Sequence, residues 1–213
     1  MIFGVTARLI CARCERPQSA CICGWISPVD NTAVALLLLQ HPDEQFEAKG
    51  TARLLSLSLS RCTVWVGEQF DAGALAQATR GAALLYPASA DSVSVRDDAS
   101  PPPTCLVVID GTWRKSRKIL MRNPLLQTLP RLALTAADST TPSRYAALRI
   151  AQRPQQLSTL EASVLALQQI EPAPERFAPL LAAMDGFVAA QLTRRRALTE
   201  VLKRRHVGPS AEP

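Results

Sequence analysis

Four short apolar runs constrain this chain more than any other feature. Residues 33–39, 62–66, 82–86 and 105–109 are apolar nearly throughout. Such runs are short for buried helices and lack the alternation of a half-solvated strand, so they read as strands covered on both faces. Segments of helical pattern separate them. This predicts an α/β fold, a mostly parallel sheet with helices on both faces.

Residues 51–59 carry Leu54, Leu55, Leu57 and Leu59 at helical spacing and are expected to form a helix, although the interleaved serines also fit a strand. A basic helix is expected over 113–121 and a short strand over 131–134. Another helix, over 158–169, opens with Ser158 and Glu161 in capping-box spacing. A last helix should run from 175 to about 205, followed by a disordered tail over 207–213. Pro87, Pro101, Pro102 and Pro103 make 87–104 a surface loop, because proline cannot donate to a strand ladder.

Four of the six cysteines, Cys11, Cys14, Cys21 and Cys23, fall within thirteen residues. In a reducing compartment thiols grouped this tightly favour a metal over disulfides. A C-x-x-C pair and a C-x-C pair supply four soft ligands and leave no open position, the pattern of a structural Zn2+ site; a redox or incidental cluster is the alternative. Residues 1–28 have no periodicity of their own and need such a staple, which sets a small zinc-binding segment apart from an α/β domain over 29–206. Cys62 and Cys105 lie in strand-like runs and are expected to be buried thiols.

With 213 residues and 47% hydrophobic content the chain can bury a sizeable core, which excludes a disordered or fibrous protein. Its apolar stretches are too short to span a bilayer, and residues 1–10 lack a secretory signal, so a soluble cytoplasmic protein is expected. Lys and Arg total 24 against 18 Asp and Glu, a net charge of +6 that suits an anionic partner. Aromatic residues are only 5%, too few to stack single-stranded nucleic acid along an extended groove. No glycine-rich phosphate loop and no serine-histidine-acid order occur.

Asp110 ends the fourth apolar run and precedes Gly111, which puts a carboxylate at the C-terminal end of a strand, where open α/β sheets build their sites. Thr112 suits either a catalytic donor or the N-cap of the next helix, and Trp113 either a stacking platform or a core residue. Arg114, Lys115, Arg117 and Lys118 spread positive charge around that helix, for phosphates or simply for solvent. His41 and Glu44 follow the first run at a similar edge, where His41 could orient substrate or be a satisfied structural histidine.

Three segments in order, Gln40-His41-Pro42-Asp43-Glu44, Asp110-Gly111-Thr112-Trp113 and Leu157-Ser158-Thr159-Leu160-Glu161-Ala162, make the chain resemble the DTW-domain family. The likeness extends from the cysteine pairs through Thr51-Ala52-Arg53-Leu54, Tyr86-Pro87 and Leu129-Pro130-Arg131, with one minor departure at Ser116, where alanine is expected. This resemblance implies a tRNA-uridine aminocarboxypropyltransferase. Such an enzyme transfers the 3-amino-3-carboxypropyl group of S-adenosylmethionine to N3 of a tRNA uridine. It also implies kinship with SPOUT RNA methyltransferases and hence a C-terminal trefoil knot, an exception to ordinary chain topology.

On that reading Asp110 is the general base, or orients the uridine N–H, with Thr112 and Trp113 beside it. Gln40, His41, Glu44, Gly111, Leu129, Pro130, Ser158, Thr159 and Glu161 bind the donor. The alternative for Glu161 is an ion pair with Arg149 or Arg53, and for Ser158 a plain cap. Arg53, Arg114, Lys115, Lys118, Arg144, Arg149, Arg194 and Arg195 contact tRNA, and Arg8, Arg13, Arg16 and Lys49 extend that surface onto the cysteine segment. A solvated basic face explains the same arginines. The oligomeric state stays open, with a monomer favoured. Two rivals remain: a knotted S-adenosylmethionine-dependent RNA methyltransferase and a non-catalytic, zinc-stapled RNA-binding protein.

Overall fold

Side chains alternate across a strand, and in strand β1 (Ala35–Gln40) this sends Leu36 and Leu38 into one hydrophobic core and Leu37 and Leu39 into another, all four buried. The computed structural model describes residues 9–88, 102–134, 143–148 and 157–206. Four further strands are β2 (Cys62–Val66), β3 (Ala82–Leu85), β4 (Cys105–Asp110) and β5 (Arg131–Leu132). They form one five-stranded sheet in the order β2-β1-β4-β3-β5, and every pairing is parallel.

Helices cover both faces, as a sheet of this kind requires. On one face Leu54 and Leu55 of α1 (Ala52–Ser58), Leu160 and Val164 of α5 (Thr159–Ile170), and Met184 and Phe187 of α6 (Ala178–His206) meet Leu36, Leu38, Leu106 and Val108. On the other, Leu75 of α2 (Ala72–Ala78), Ile119 and Leu120 of α3 (Trp113–Arg122) and Leu126 of α4 (Pro124–Thr128) meet Leu37, Leu39 and Val107. Among the described residues no helix is long and apolar enough to cross a membrane.

Several expectations need adjustment. The helix expected over 51–59 is present, as Ala52–Ser58. The strand expected over 131–134 shortens to Arg131–Leu132, and the last helix begins at Ala178 after a 3-10 turn at Pro174–Phe177. Strand β2 is only partly buried, because it lies at the sheet edge with one neighbour. Cys62 is therefore half-buried where a fully buried thiol was expected, and Cys105 alone of the pair is buried. Burial pushes both thiols upward, Cys62 to about 12, so both stay protonated and inert.

The cysteine segment is docked on the domain. Cys14 and Ile22 join the first core, and Trp25 lies against Gly186 of α6 so closely that a Cβ at 186 would stand 2.3 Å from the indole. Arg16 crosses from this segment to the loop after β1, donating to the carbonyls of Ala48 (2.8 Å) and Gly50 (2.6 Å), and its guanidinium lies 5.6 Å from the Phe187 ring centre. The same loop is held from other sides, since Tyr145 Oη donates to the Lys49 carbonyl (2.5 Å) and Gln191 Nε2 to that of Ala48 (3.3 Å).

Candidate active site and cysteine knuckle

Parallel register brings the ends of β1 and β4 level, with Gln40 opposite Asp110. Gln40 Nε2 donates to Asp110 Oδ2 at 2.8 Å, and Thr159 Oγ1, from the first turn of α5, donates to Oδ1 at 2.5 Å. Asp110 is 7% exposed. Two neutral donors from separate elements thus help to fix a buried carboxylate. This unites Gln40, Asp110 and Thr159, which lie 70 and 49 residues apart in sequence.

His41 is buried beside them but committed elsewhere. Its Nδ1 accepts the Asp43 N–H (3.2 Å) and its Nε2 faces Glu68 Oε1 (2.7 Å), the pattern of a neutral ring protonated on Nε2. Glu68 also accepts from Lys118 (2.7 Å) and Arg122 (2.6 Å). Lys118, then His41, holds the Glu68 carboxyl below the usual carboxylate range. Glu44 and Asp43 bind Lys115 at 2.8 and 3.3 Å and raise its ammonium above the ordinary lysine value. The structural alternative for His41 is therefore the one observed. Lys115 and Lys118, expected on RNA, pair with acids of the turn after β1 and of the β2–α2 loop, and Lys118 stays half exposed.

Thr112 caps α3, accepting the Lys115 N–H at 3.4 Å, so the cap is the role observed for it. Trp113 is half exposed rather than core, in edge-to-face contact with Tyr86 at 5.9 Å. At Gly111 a Cβ would lie 3.1 Å from Lys115 Cβ, so a side chain there requires α3 to give by a few tenths of an ångström. Leu129 packs on the second core and the Pro130 carbonyl accepts the Leu84 N–H at 2.8 Å. Both stand at the start of β5, not at its C-terminal edge.

Ser158 and Glu161 form the complete capping box of α5. Glu161 also accepts from Ser143 Oγ (2.9 Å) and the Arg144 N–H (2.6 Å), which anchors 143–148. It does so in place of the ion pair considered with Arg53. Arg53 instead pairs with Glu15 (3.0 Å) and Arg144 with Asp185. Arg149 and Arg8 lie outside the described residues. Arg16 is an internal bridge rather than an RNA-facing side chain, and its burial lowers its pKa. Exposed cations that no carboxylate neutralises among the described residues include Arg114 and Arg117 on α3 and Arg195 on α6, where Arg194 is half-buried.

Sequence reasoning missed Glu68, which has no motif around it and becomes visible only when β2 lies beside β1. Tyr86 and Arg131 were seen only as parts of a resemblance.

The four cysteines converge. Cys11 Sγ and Cys23 Sγ are 3.6 Å apart, Cys14 Sγ and Cys21 Sγ 3.8 Å, and all four sulfurs lie within 4.8 Å of one another. A tetrahedron with metal–sulfur bonds of about 2.3 Å has edges near 3.8 Å. The spacing therefore fits a metal ion, and four thiol donors with Cys14 buried suit structural zinc.

A buried, oriented carboxylate at the carboxyl edge of a parallel sheet defines an α/β protein with an enzyme-type site. The DTW domain model matches residues 8–192, and the chain belongs to the DTW-domain family. It is 32% identical over 173 residues to the mouse protein named tRNA-uridine aminocarboxypropyltransferase 2, covering 76% of this chain and 56% of that protein. The Drosophila melanogaster protein of the same name is 33% identical over 176 residues, covering 78% and 68%. An Arabidopsis thaliana protein, tRNA-uridine aminocarboxypropyltransferase A, is 28% identical over 134 residues, 53% and 50%. The chain thus spans little more than half the length of the mouse relative. No solved structure matches.

Proposed function

We propose that this chain transfers the 3-amino-3-carboxypropyl group of S-adenosylmethionine to N3 of a tRNA uridine, releasing 5′-methylthioadenosine. The observation that carries the proposal is the buried Asp110 carboxylate held by Gln40 and Thr159, in a domain whose relatives bear that activity in their names. The donor's sulfonium makes its Cγ electrophilic, so the protein's task is to orient rather than to activate it.

Asp110 accepts the N3 proton as the N3–Cγ bond forms and the Cγ–S bond breaks. Gln40 and Thr159 hold the carboxylate in place at the strand end. Thr112 and Trp113 border the same turn, and Trp113 offers a half-exposed ring on which a base can stack. Gln40, Gly111, Ser158 and Thr159 line the donor's side, while His41, Glu44 and Glu161 act by fixing its walls. Arg114, Arg194 and Arg195 meet the tRNA backbone, with Arg53, Lys115, Lys118, Arg144 and Arg149 contributing positive field.

Cys11, Cys14, Cys21 and Cys23 hold a structural zinc ion in residues 1–28, and the α/β domain runs over 29–206. The enzyme works in the cytoplasm. The trefoil knot belongs to the same reading.

The test is Asp110→Ala. With total tRNA and donor labelled in its carboxypropyl arm, the variant should lose transfer by at least about 100-fold while still binding tRNA. Undiminished turnover would remove Asp110 as the base, and a product heavier by a methyl group alone would identify a methyltransferase.

A further inference from the structure

Among the described residues Arg131 is the one buried arginine or lysine. It sits in the short edge strand β5, opposite Leu84, and is 8% exposed. No carboxylate pairs with it among the described residues, and its Nε–H is buried without an acceptor. Its one contact of note is the face of Tyr86, 4.8 Å from guanidinium carbon to ring centre. Tyr86 in turn meets Trp113 edge-on. Arg131, Tyr86 and Trp113 thus form a continuous column beside the β4–α3 turn that follows Asp110.

A buried cation without a counter-ion is costly, and an aromatic face offsets only part of that cost. The deficit disappears when an anion binds. We propose that Arg131 anchors the carboxylate of the donor's amino-acid arm. This rests on the proposed transfer reaction and adds to it the residue that selects the arm.

Burial decides between the two anions at hand. A tRNA phosphate belongs to a bulky backbone and is met by surface cations, which Arg114, Arg117 and Arg195 already supply. A guanidinium buried to this depth is reached by a small ligand entering a cleft. Its planar fork matches a carboxylate in two-point contact. Fixing the far end of the arm limits how its Cγ can meet the nucleophile, whereas a methyl donor needs no such hold on the carbon it transfers.

Calorimetry with S-adenosylmethionine, its decarboxylated analogue and 5′-methylthioadenosine tests this. The wild-type protein should prefer S-adenosylmethionine to the decarboxylated compound by at least about tenfold. In Arg131→Met the two should bind equally, with affinity for 5′-methylthioadenosine and for tRNA unchanged. Arg131→Lys should restore part of the preference. The ligand-free Met variant should be no less stable than wild type, because it loses an unpaired buried charge.

A preference that survives in Arg131→Met overturns the assignment and leaves the transfer reaction standing. So does a variant that loses tRNA affinity and its salt dependence while keeping the preference, which would make Arg131 a phosphate contact. Marked destabilisation of the ligand-free variant would make Arg131 structural. A wild-type protein that binds none of the three compounds overturns both readings.

Discussion

Gln40 and Asp110 stand side by side at the ends of adjacent parallel strands, and the amide of one donates to the carboxylate of the other at 2.8 Å. Removing the donor leaves a buried acceptor under-satisfied, at a cost of about 1–3 kcal/mol. Gln40→Met, close in shape, should lower unfolding free energy by that amount in a denaturant titration. It should also reduce kcat without raising KM for tRNA. Unchanged stability and turnover would show that the Gln40 hydrogen bond does not position the carboxylate.

Gly186 is predicted to tolerate no side chain. The Cβ of Gly186→Ala would press on ring carbons of Trp25 at 2.3 and 2.4 Å, and a rigid indole can yield only by moving the segment that carries it. Destabilisation of about 1–3 kcal/mol is expected, together with a shift in tryptophan emission as Trp25 loses its seat.

The Glu68 cluster has a defined pH window. Lys118 and His41 hold the folded carboxyl below its ordinary value. The stability it contributes is therefore fully present above that ordinary value, about 4.3, and is lost as pH falls through the lower folded value. Thermal melts of wild type and Glu68→Gln should differ by a constant amount from pH 7 to about 5 and draw together as pH falls through the lowered folded value. A gap that changes between pH 7 and 5 would assign the effect to another group.

Metal analysis of the purified protein should find one zinc ion per chain. Cys11→Ser should abolish it and reduce folded yield, since binding free energy at a four-thiolate site is folding free energy. Cys62→Ser should leave the metal content unchanged, because Cys62 lies in β2 outside the cluster.

Much of the architecture was legible because it depends on local pattern. The apolar runs became β1 to β4, the Ser158–Glu161 spacing became a complete capping box, and the cysteine pairs converged as metal ligands do. The helices α2 and α4 were not foreseen. The first is alanine-rich with Gly73 inside it and the second is only five residues long, so neither displays an apolar stripe.

In the site, Asp110 and Gln40 were legible from motif and strand end. The fate of charges was not. Whether Lys115, Lys118 or Arg16 faces solvent or an internal partner depends on acids and carbonyls brought near by tertiary packing, such as Glu44, Glu68 and the 48–50 turn. Periodicity carries no record of those neighbours.

The bridge from Arg16 to the carbonyls of Ala48 and Gly50 gives the cysteine segment a reach beyond its own residues. The span it grips leads from His41 and Glu44 to the helix carrying Thr51, whose hydroxyl accepts the Leu160 N–H at the head of α5. An ion bound among the sulfurs would therefore govern, at a distance, how firmly both walls around Asp110 are seated. Scarcity of that ion would disarm the protein without any metal ever touching the reacting atoms.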